Sequence, residues 1–164
     1  MIKNSIVGSR LITFKLSSNT CKMYLTLCSD SSKKYYSDNT VACFTTQLTE
    51  PICLGDAQYE VGVMEAFLPP LIPADARNSP IFLYTDVIKP TMVSDTAVRL
   101  LRVFTPHNDT GYHECAVVHY LPIERRNFSF ITLSFHSRTG ERYPFPTGEH
   151  SSTVVLHFRE ERKY

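Results

Sequence analysis

Tryptophan is absent from this chain and glycine is scarce, at six of 164 residues. Those glycines (Gly8, Gly55, Gly62, Gly111, Gly140 and Gly148) are too dispersed to build a phosphate-cradling loop. No Gly-x-Ser-x-Gly sequence occurs, so a nucleophile elbow is excluded. The five cysteines (Cys21, Cys28, Cys43, Cys53 and Cys115) form no Cys-x-x-Cys pair, and their number is odd. Free thiols in a reducing, intracellular compartment are the simplest account. No apolar stretch approaches the ~18 residues of a membrane helix, and Met1 to Leu16 makes a poor signal peptide. Net charge is only +1, which argues against a broadly basic nucleic-acid binder.

What the chain does have is a strand-and-turn composition. Apolar residues make up 43% and charged residues 20%, the balance of a globular domain rather than a disordered one. Nine Tyr, ten Phe and ten Pro favour strands and turns over helices. About eight short runs alternate between apolar and polar side chains. They are Lys22–Cys28, Val41–Leu48, Gln58–Leu68, Ile81–Ile88, Val98–Phe104, Ala116–Leu121, Phe128–Phe135 and Thr153–Phe158. In the third run Tyr59, Val61, Val63 and Phe67 are expected to share one face. Pro51 to Ala57 reads as a connection, and the prolines of Leu68 to Ala74 as a rigid loop.

Eight strands at this spacing predict an all-β, eight-stranded single jelly-roll sandwich, in which Lys22–Cys28 would pair with Thr153–Phe158. Periodicity alone leaves other Greek keys open. The predicted organisation is a flexible arm over residues 1–20, one domain over 21–160 and a short tail over 161–164. The first 22 residues carry Lys3, Arg10, Lys15 and Lys22 and no acid. This basic arm reads as a solvated terminus, with contact to nucleic acid or a neighbouring subunit as the alternative.

Candidates for chemistry are weak. His107, Asn108, Asp109, His113, Glu114, Cys115 and His119 form the densest group of metal-ligand types. Cupins, which are also sandwiches, use a close His-x-His pair; here each His is six residues from the next, and polar loop residues are the simpler reading. Glu160-Glu161 sit in a charged tail. No catalytic group, cofactor or metal site is expected.

Read in order, the runs resemble a family. Met23-Tyr-Leu-Thr-Leu-Cys, the Ser-rich turn through Lys34, then Tyr35-Tyr36 and Asn39-Thr40 are similar to the opening of the penton (minor capsid) proteins of Polinton, or Maverick, elements and their adintovirus-like and virophage-like relatives. Tyr59-Glu-Val-Gly-Val-Met-Glu65 resembles that family's W-E-V-G-L-x-E strand, with Tyr for Trp. Tyr84-Thr-Asp86, Pro90, Val93-Ser-Asp95 and Leu100-Leu-Arg102 resemble its Y-x-D, P, V-G-D and L-L-R series, with Ser94 where Gly is usual. Tyr120-Leu-Pro-Ile123, Thr139-Gly140, Pro144-Phe145 and Leu156-His-Phe-Arg159 complete the match, which spans about residues 23–160. Only Ala66 to Pro80 stands where family members carry a long insertion.

The resemblance implies a structural, non-enzymatic capsid subunit of the virion. It would form a homopentamer at capsid vertices beside a double-jelly-roll major capsid protein, with no membrane association. Aromatic and arginine anchors are enriched at interfaces, so Tyr59, Arg99, Arg102, Tyr120 and Arg125 are the candidate contact residues. Asp86, Asp95 and Arg102 are also expected to hold loops together by polar contacts. A host-domesticated jelly-roll binding module is the first alternative, and a cupin-like metalloenzyme the second.

Overall fold

In a strand, successive side chains point to opposite faces, so each alternating run offers one apolar face that must be covered. The computed structural model describes residues 13–15, 22–70, 79–106, 111–146, 148 and 150–161. Among them are twelve strands: β1 (Thr13–Lys15), β2 (Lys22–Cys28), β3 (Cys43–Cys53), β4 (Tyr59–Phe67), β5 (Ile81–Thr85), β6 (Thr91–Val93), β7 (Thr96–Val98), β8 (Leu100–Phe104), β9 (Tyr112–Glu114), β10 (Leu121–Pro122), β11 (Asn127–His136) and β12 (Thr153–Glu160). One sheet runs β1-β2-β12-β4-β10, with β9 also on β4; a second runs β3-β11-β5-β8; β6 and β7 form a separate hairpin. Every pairing is antiparallel.

The predicted closure of first run on last is present: Cys28 lies opposite Thr153, and the register continues to Lys22 opposite Arg159. Of the predicted arm, Thr13–Lys15 run as a strand against β2, and residues 1–12 and 16–20 lie outside the described residues. In the predicted tail, Glu161 donates its N–H to the Gln58 carbonyl at 2.8 Å, and residues 162–164 lie outside the described residues.

The core lies between the two sheets. Met23, Leu25, Leu27, Val61, Val63, Val154, Leu156 and Phe158 come from one side, and Phe44, Ile81, Leu83, Ile131, Leu133 and Phe135 from the other. Burying each such side chain contributes roughly 1.5–3 kcal/mol before conformational entropy is subtracted.

Three bulges adjust the faces. Val155 lies opposite Glu65 but Leu156 opposite Val63, so Met64 is an extra residue on β4. A one-residue slip turns every later side chain over. Ala66 and Leu68 therefore point inward and Phe67 is 47% exposed, where the sequence predicts Phe67 on the face of Val61 and Val63. In the second sheet, Gln47 faces Phe130 and Ile52 faces Phe128, so Leu48 to Pro51 stand opposite Ser129 alone. That bulge accommodates Pro51, and β3 resumes beyond it where a connection is predicted. Leu101 is the extra residue on β8.

Two further runs differ from expectation. The run from Ile81 stops at Thr85 because the Asp86 carboxylate takes the Thr132 N–H at 2.9 Å in place of a backbone carbonyl. Val87 and Ile88 then turn into the end of the sandwich, fully buried, where Ile88 bridges Ile123. The predicted strand Ala116–Leu121 is mostly an excursion between β9 and β10.

The outer edge of β3 is closed by side chains that imitate a strand. Thr40 Oγ1 accepts the Cys43 N–H at 3.0 Å, Asn39 bonds both the N–H and the C=O of Thr45 at 2.8 Å, and Ser32 Oγ accepts the Gln47 N–H at 3.0 Å. Alternate residues of the edge are thus satisfied without a neighbouring chain.

The β6–β7 hairpin turns on Ser94-Asp95, with Val93 opposite Thr96. Ser94 has φ +57°, a conformation that suits glycine at the first turn position. Left-handed backbone costs a non-glycine residue roughly 1–2 kcal/mol, and glycine's extra unfolded-state entropy offsets part of that. Ser94→Gly is therefore expected to raise stability by about 0.5 kcal/mol, read as a higher urea midpoint at unchanged slope. A lower midpoint would contradict the strain.

Candidate assembly surface

The free side of the sandwich is where β8 and the interrupted strand β9/β10 end the two sheets. Among the described residues, β8 pairs only with β5, and its other edge has no backbone partner. The chain leaves β9 after Cys115, whose N–H bonds the Met64 carbonyl at 2.9 Å, and rejoins the sheet at Leu121. Between them, residues 116–120 fold over the outer face of β4.

That crossing needs Gly62. A Cβ there would sit 2.5 Å from Val118 Cγ1, 2.8 Å from the His119 carbonyl oxygen and 3.3 Å from Tyr120 Cδ1. Glycine inside a strand is the usual mark of a close backbone approach.

The crossing ends on a cluster built by strand register. His157 lies between the inward-facing Leu156 and Phe158, so it points outward, with Tyr24 opposite on β2 and Gly62 opposite on β4. The Tyr24 and His157 rings stack at 4.4 Å with 15° between planes. Tyr120 places its hydroxyl 2.6 Å from His157 Nδ1. The Arg159 guanidinium lies 3.4 Å from the Tyr120 ring centroid and is held by Glu60 at 2.9 Å. His157 is only 5% exposed, and among the described residues its Nε2 has no hydrogen-bond partner. Burial pushes the His157 imidazole below the ordinary histidine range, and the Lys22 and Arg159 charges add to that shift. Burial raises the Tyr120 phenol, against the pull of Arg159.

On the edge itself, Arg102 reaches from β8 to the Val117 carbonyl at 3.0 Å and ties the two sheets together. It separates two open depressions. One, of about 380 Å³, is lined by Phe104, Tyr112, His113 and Cys115; the other, of about 400 Å³, by Leu100, Val103, His119 and Leu121. Val117, whose carbonyl Arg102 holds, is 67% exposed.

The five predicted contact residues fall into two groups. Tyr59, Arg99 and Arg125 gather at one corner. There the Tyr59 carbonyl accepts the Ile123 N–H at 2.9 Å, Arg99 donates to the Ile88 carbonyl at 3.1 Å and pairs with Glu124, and Arg125 pairs with Asp86 at 3.0 Å and lies over the Phe130 ring. Such part-exposed pairs are worth about 0–1 kcal/mol each. Arg102 and Tyr120 stand apart, one holding the excursion at Val117 and the other at His157. Asp86 holds its loop as expected, while among the described residues Asp95 accepts only from the neighbouring Thr96 hydroxyl. Sequence reasoning did not single out His157. A polar residue at an outward strand position carries no signal, whereas Gly62 between Val61 and Val63 does.

Of the metal-type residues, His107 to Asp109 lie outside the described residues, and His113 packs against Phe104 at 5.3 Å. Among the described residues no group of three or more His, Cys, Asp or Glu is placed to hold a metal. Cys28, Cys43, Cys53 and Cys115 are free thiols, and Cys21 lies outside the described residues. Burial raises the Cys115 thiol, against the pull of Arg102.

The described residues thus form an all-β, two-sheet sandwich with an outer-face cluster around His157. No protein-family model matches the chain, and no curated protein matches it. Among solved structures, the crystal structure of the mavirus penton protein is similar in fold, with a TM-score of 0.50 at 10% identity, covering 85% of this chain and 99% of that one.

Gly62→Ala is expected to cost about 1–3 kcal/mol, because the His119 carbonyl is backbone and cannot yield without lifting the excursion. Urea unfolding measures the loss; an unchanged midpoint would mean that residues 118–120 do not cross at Gly62.

Proposed function

We propose that this chain is a penton-type minor capsid protein of a Polinton-like particle, folded as a single eight-stranded jelly roll. The observation that carries the reading is the sheet order. Numbering the main strands β2, β3, β4, β5, β8, β9/β10, β11 and β12 from first to eighth, one sheet runs first-eighth-third-sixth and the other second-seventh-fourth-fifth. That order supports a jelly roll, as does the fold likeness to the mavirus penton protein. So does the physical sense of the motif residues that suggested the family. Ser32, Asn39 and Thr40 close the β3 edge, Gly62 admits the crossing chain, and Asp86 ends β5.

In this reading the protein is structural, without catalysis or cofactor, and resides in the virion. Five copies meet in a ring beside a double-jelly-roll major capsid protein, and the basic residues before β2 contact nucleic acid or a neighbour. Contacts between copies run along the β8 side and its corner, through Tyr59, Arg99, Arg102, Tyr120 and Arg125. A heterologous contact repeated with fivefold rotation closes a ring.

Size-exclusion chromatography with light scattering tests the assembly. Five copies of an 18.7 kDa chain should elute as a species of about 94 kDa, alone or when co-expressed with the major capsid protein. A chain that stays monomeric and fails to enter particles under both conditions would overturn the reading.

A further inference from the structure

We infer that the Tyr120–His157 contact is an acid-released latch. It holds residues 115–120 across the outer face of the first sheet while His157 is neutral, and lets them go when His157 takes up a proton. The latch is a property of the single chain, so its test is independent of whether the chain assembles.

The geometry leaves His157 one good protonation state. Its Nδ1 is 2.6 Å from the Tyr120 hydroxyl, and its Nε2 is buried without a partner. A neutral ring satisfies Nδ1 in either tautomer, by accepting from the hydroxyl or donating to it. A protonated ring must donate from both nitrogens. Tyr120 can then only accept, its own proton loses its acceptor, and Nε2–H faces no acceptor at all. Burying such a donor is costly, and burying a charge more so.

The surrounding charges point the same way. Facing His157 are Lys22 and Tyr24 on β2, Glu60 on β4, Tyr120 on the excursion and Arg159 on β12 itself. Glu60 is the one acid among them, and it is already engaged by Arg159. A cation at His157 would therefore sit beside Lys22 and Arg159 with no free counter-charge. The latched form binds fewer protons than a released form whose imidazole meets water. Stability of the latch is fully present above the ordinary histidine value, near ~6.5, and is lost as pH falls through it toward the lower latched value.

Release has a defined path. The excursion is anchored by the Cys115 N–H at one end and by β10 at the other. Between these anchors its side-chain holds are Tyr120, bonded to His157 and stacked on the Arg159 guanidinium, and the Val117 carbonyl on Arg102. Freeing Tyr120 lifts residues 118–120 from Gly62 and withdraws the wall that His119 gives to the groove beside β8. Acid thus alters the same side of the sandwich on which Arg102 and Tyr120 lie.

Nuclear magnetic resonance on the intact chain tests the latch. The readout is the proximity signal between Gly62 Hα and the Val118 methyls, followed from pH 7.5 to 5.0 alongside the His157 ring titration. The contact between Phe44 and Leu133, which are cross-strand partners in the core, serves as reference. The signal should fall about threefold or more in step with His157 protonation while the reference holds. In Tyr120→Phe it should already be weak at pH 7.5. In His157→Phe it should not change with pH. A Gly62–Val118 signal that persists once His157 is protonated, or that falls equally in His157→Phe, would overturn the latch. If His157→Phe fails to fold, the wild-type titration and Tyr120→Phe decide.

Discussion

The fold depends on one long-range pairing: β12, near the end of the chain, lies between β2 and β4. It makes a seven-residue register with β2 and a bulged eight-residue register with β4. Without it the first sheet falls into two parts with four open edges, and Val154, Leu156 and Phe158 leave the core. The same strand carries His157 and Arg159 outward, so the pairing that completes the core also assembles the outer-face cluster. Because its partners are distant in sequence, loop closure must precede the reward, and the fold is expected to be cooperative and comparatively slow to form.

A second constraint is what happens at sheet edges. Unpaired strands invite pairing with other chains, so folded domains block them. Here β1 covers β2, and the side chains of Ser32, Asn39 and Thr40 occupy β3. The opposite side is treated differently. β8 pairs with β5 on one edge and has no backbone partner on the other among the described residues, and Arg102 spans from it to the excursion. Among the described residues one side of the sandwich is thus blocked and the other left open.

Much of this was legible in the sequence where the signal is local. Lys22–Cys28 alternates cleanly, and β2 has those bounds. Two other strands of the first sheet are readable to within two residues: Gln58–Leu68 is expected against Tyr59–Phe67, and Thr153–Phe158 against Thr153–Glu160. The failures are non-local. Phe67 was placed on the wrong face because the Met64 bulge exists only in pairing with β12. Pro51 was read as a stop because the bulge that tolerates it is defined by β11. Ala116–Leu121 was read as one strand because alternation cannot report that a segment crosses a glycine on a neighbour. Within the candidate site, residue type alone does not place Tyr59, Arg99 and Arg125 at one corner, since they meet there through Ile123, Ile88, Glu124 and Asp86. Nor does it place the His157 cluster, since Tyr24, Glu60, Tyr120 and His157 meet only through register.

Native-state hydrogen exchange across the first sheet tests the central role of β12 most directly. If its insertion holds the domain together, the slowest amides of β2, β4 and β12 should share one opening free energy, equal to that of global unfolding. Exchange of the β12 amides through a lower-energy opening, with β2 and β4 still protected, would contradict the account.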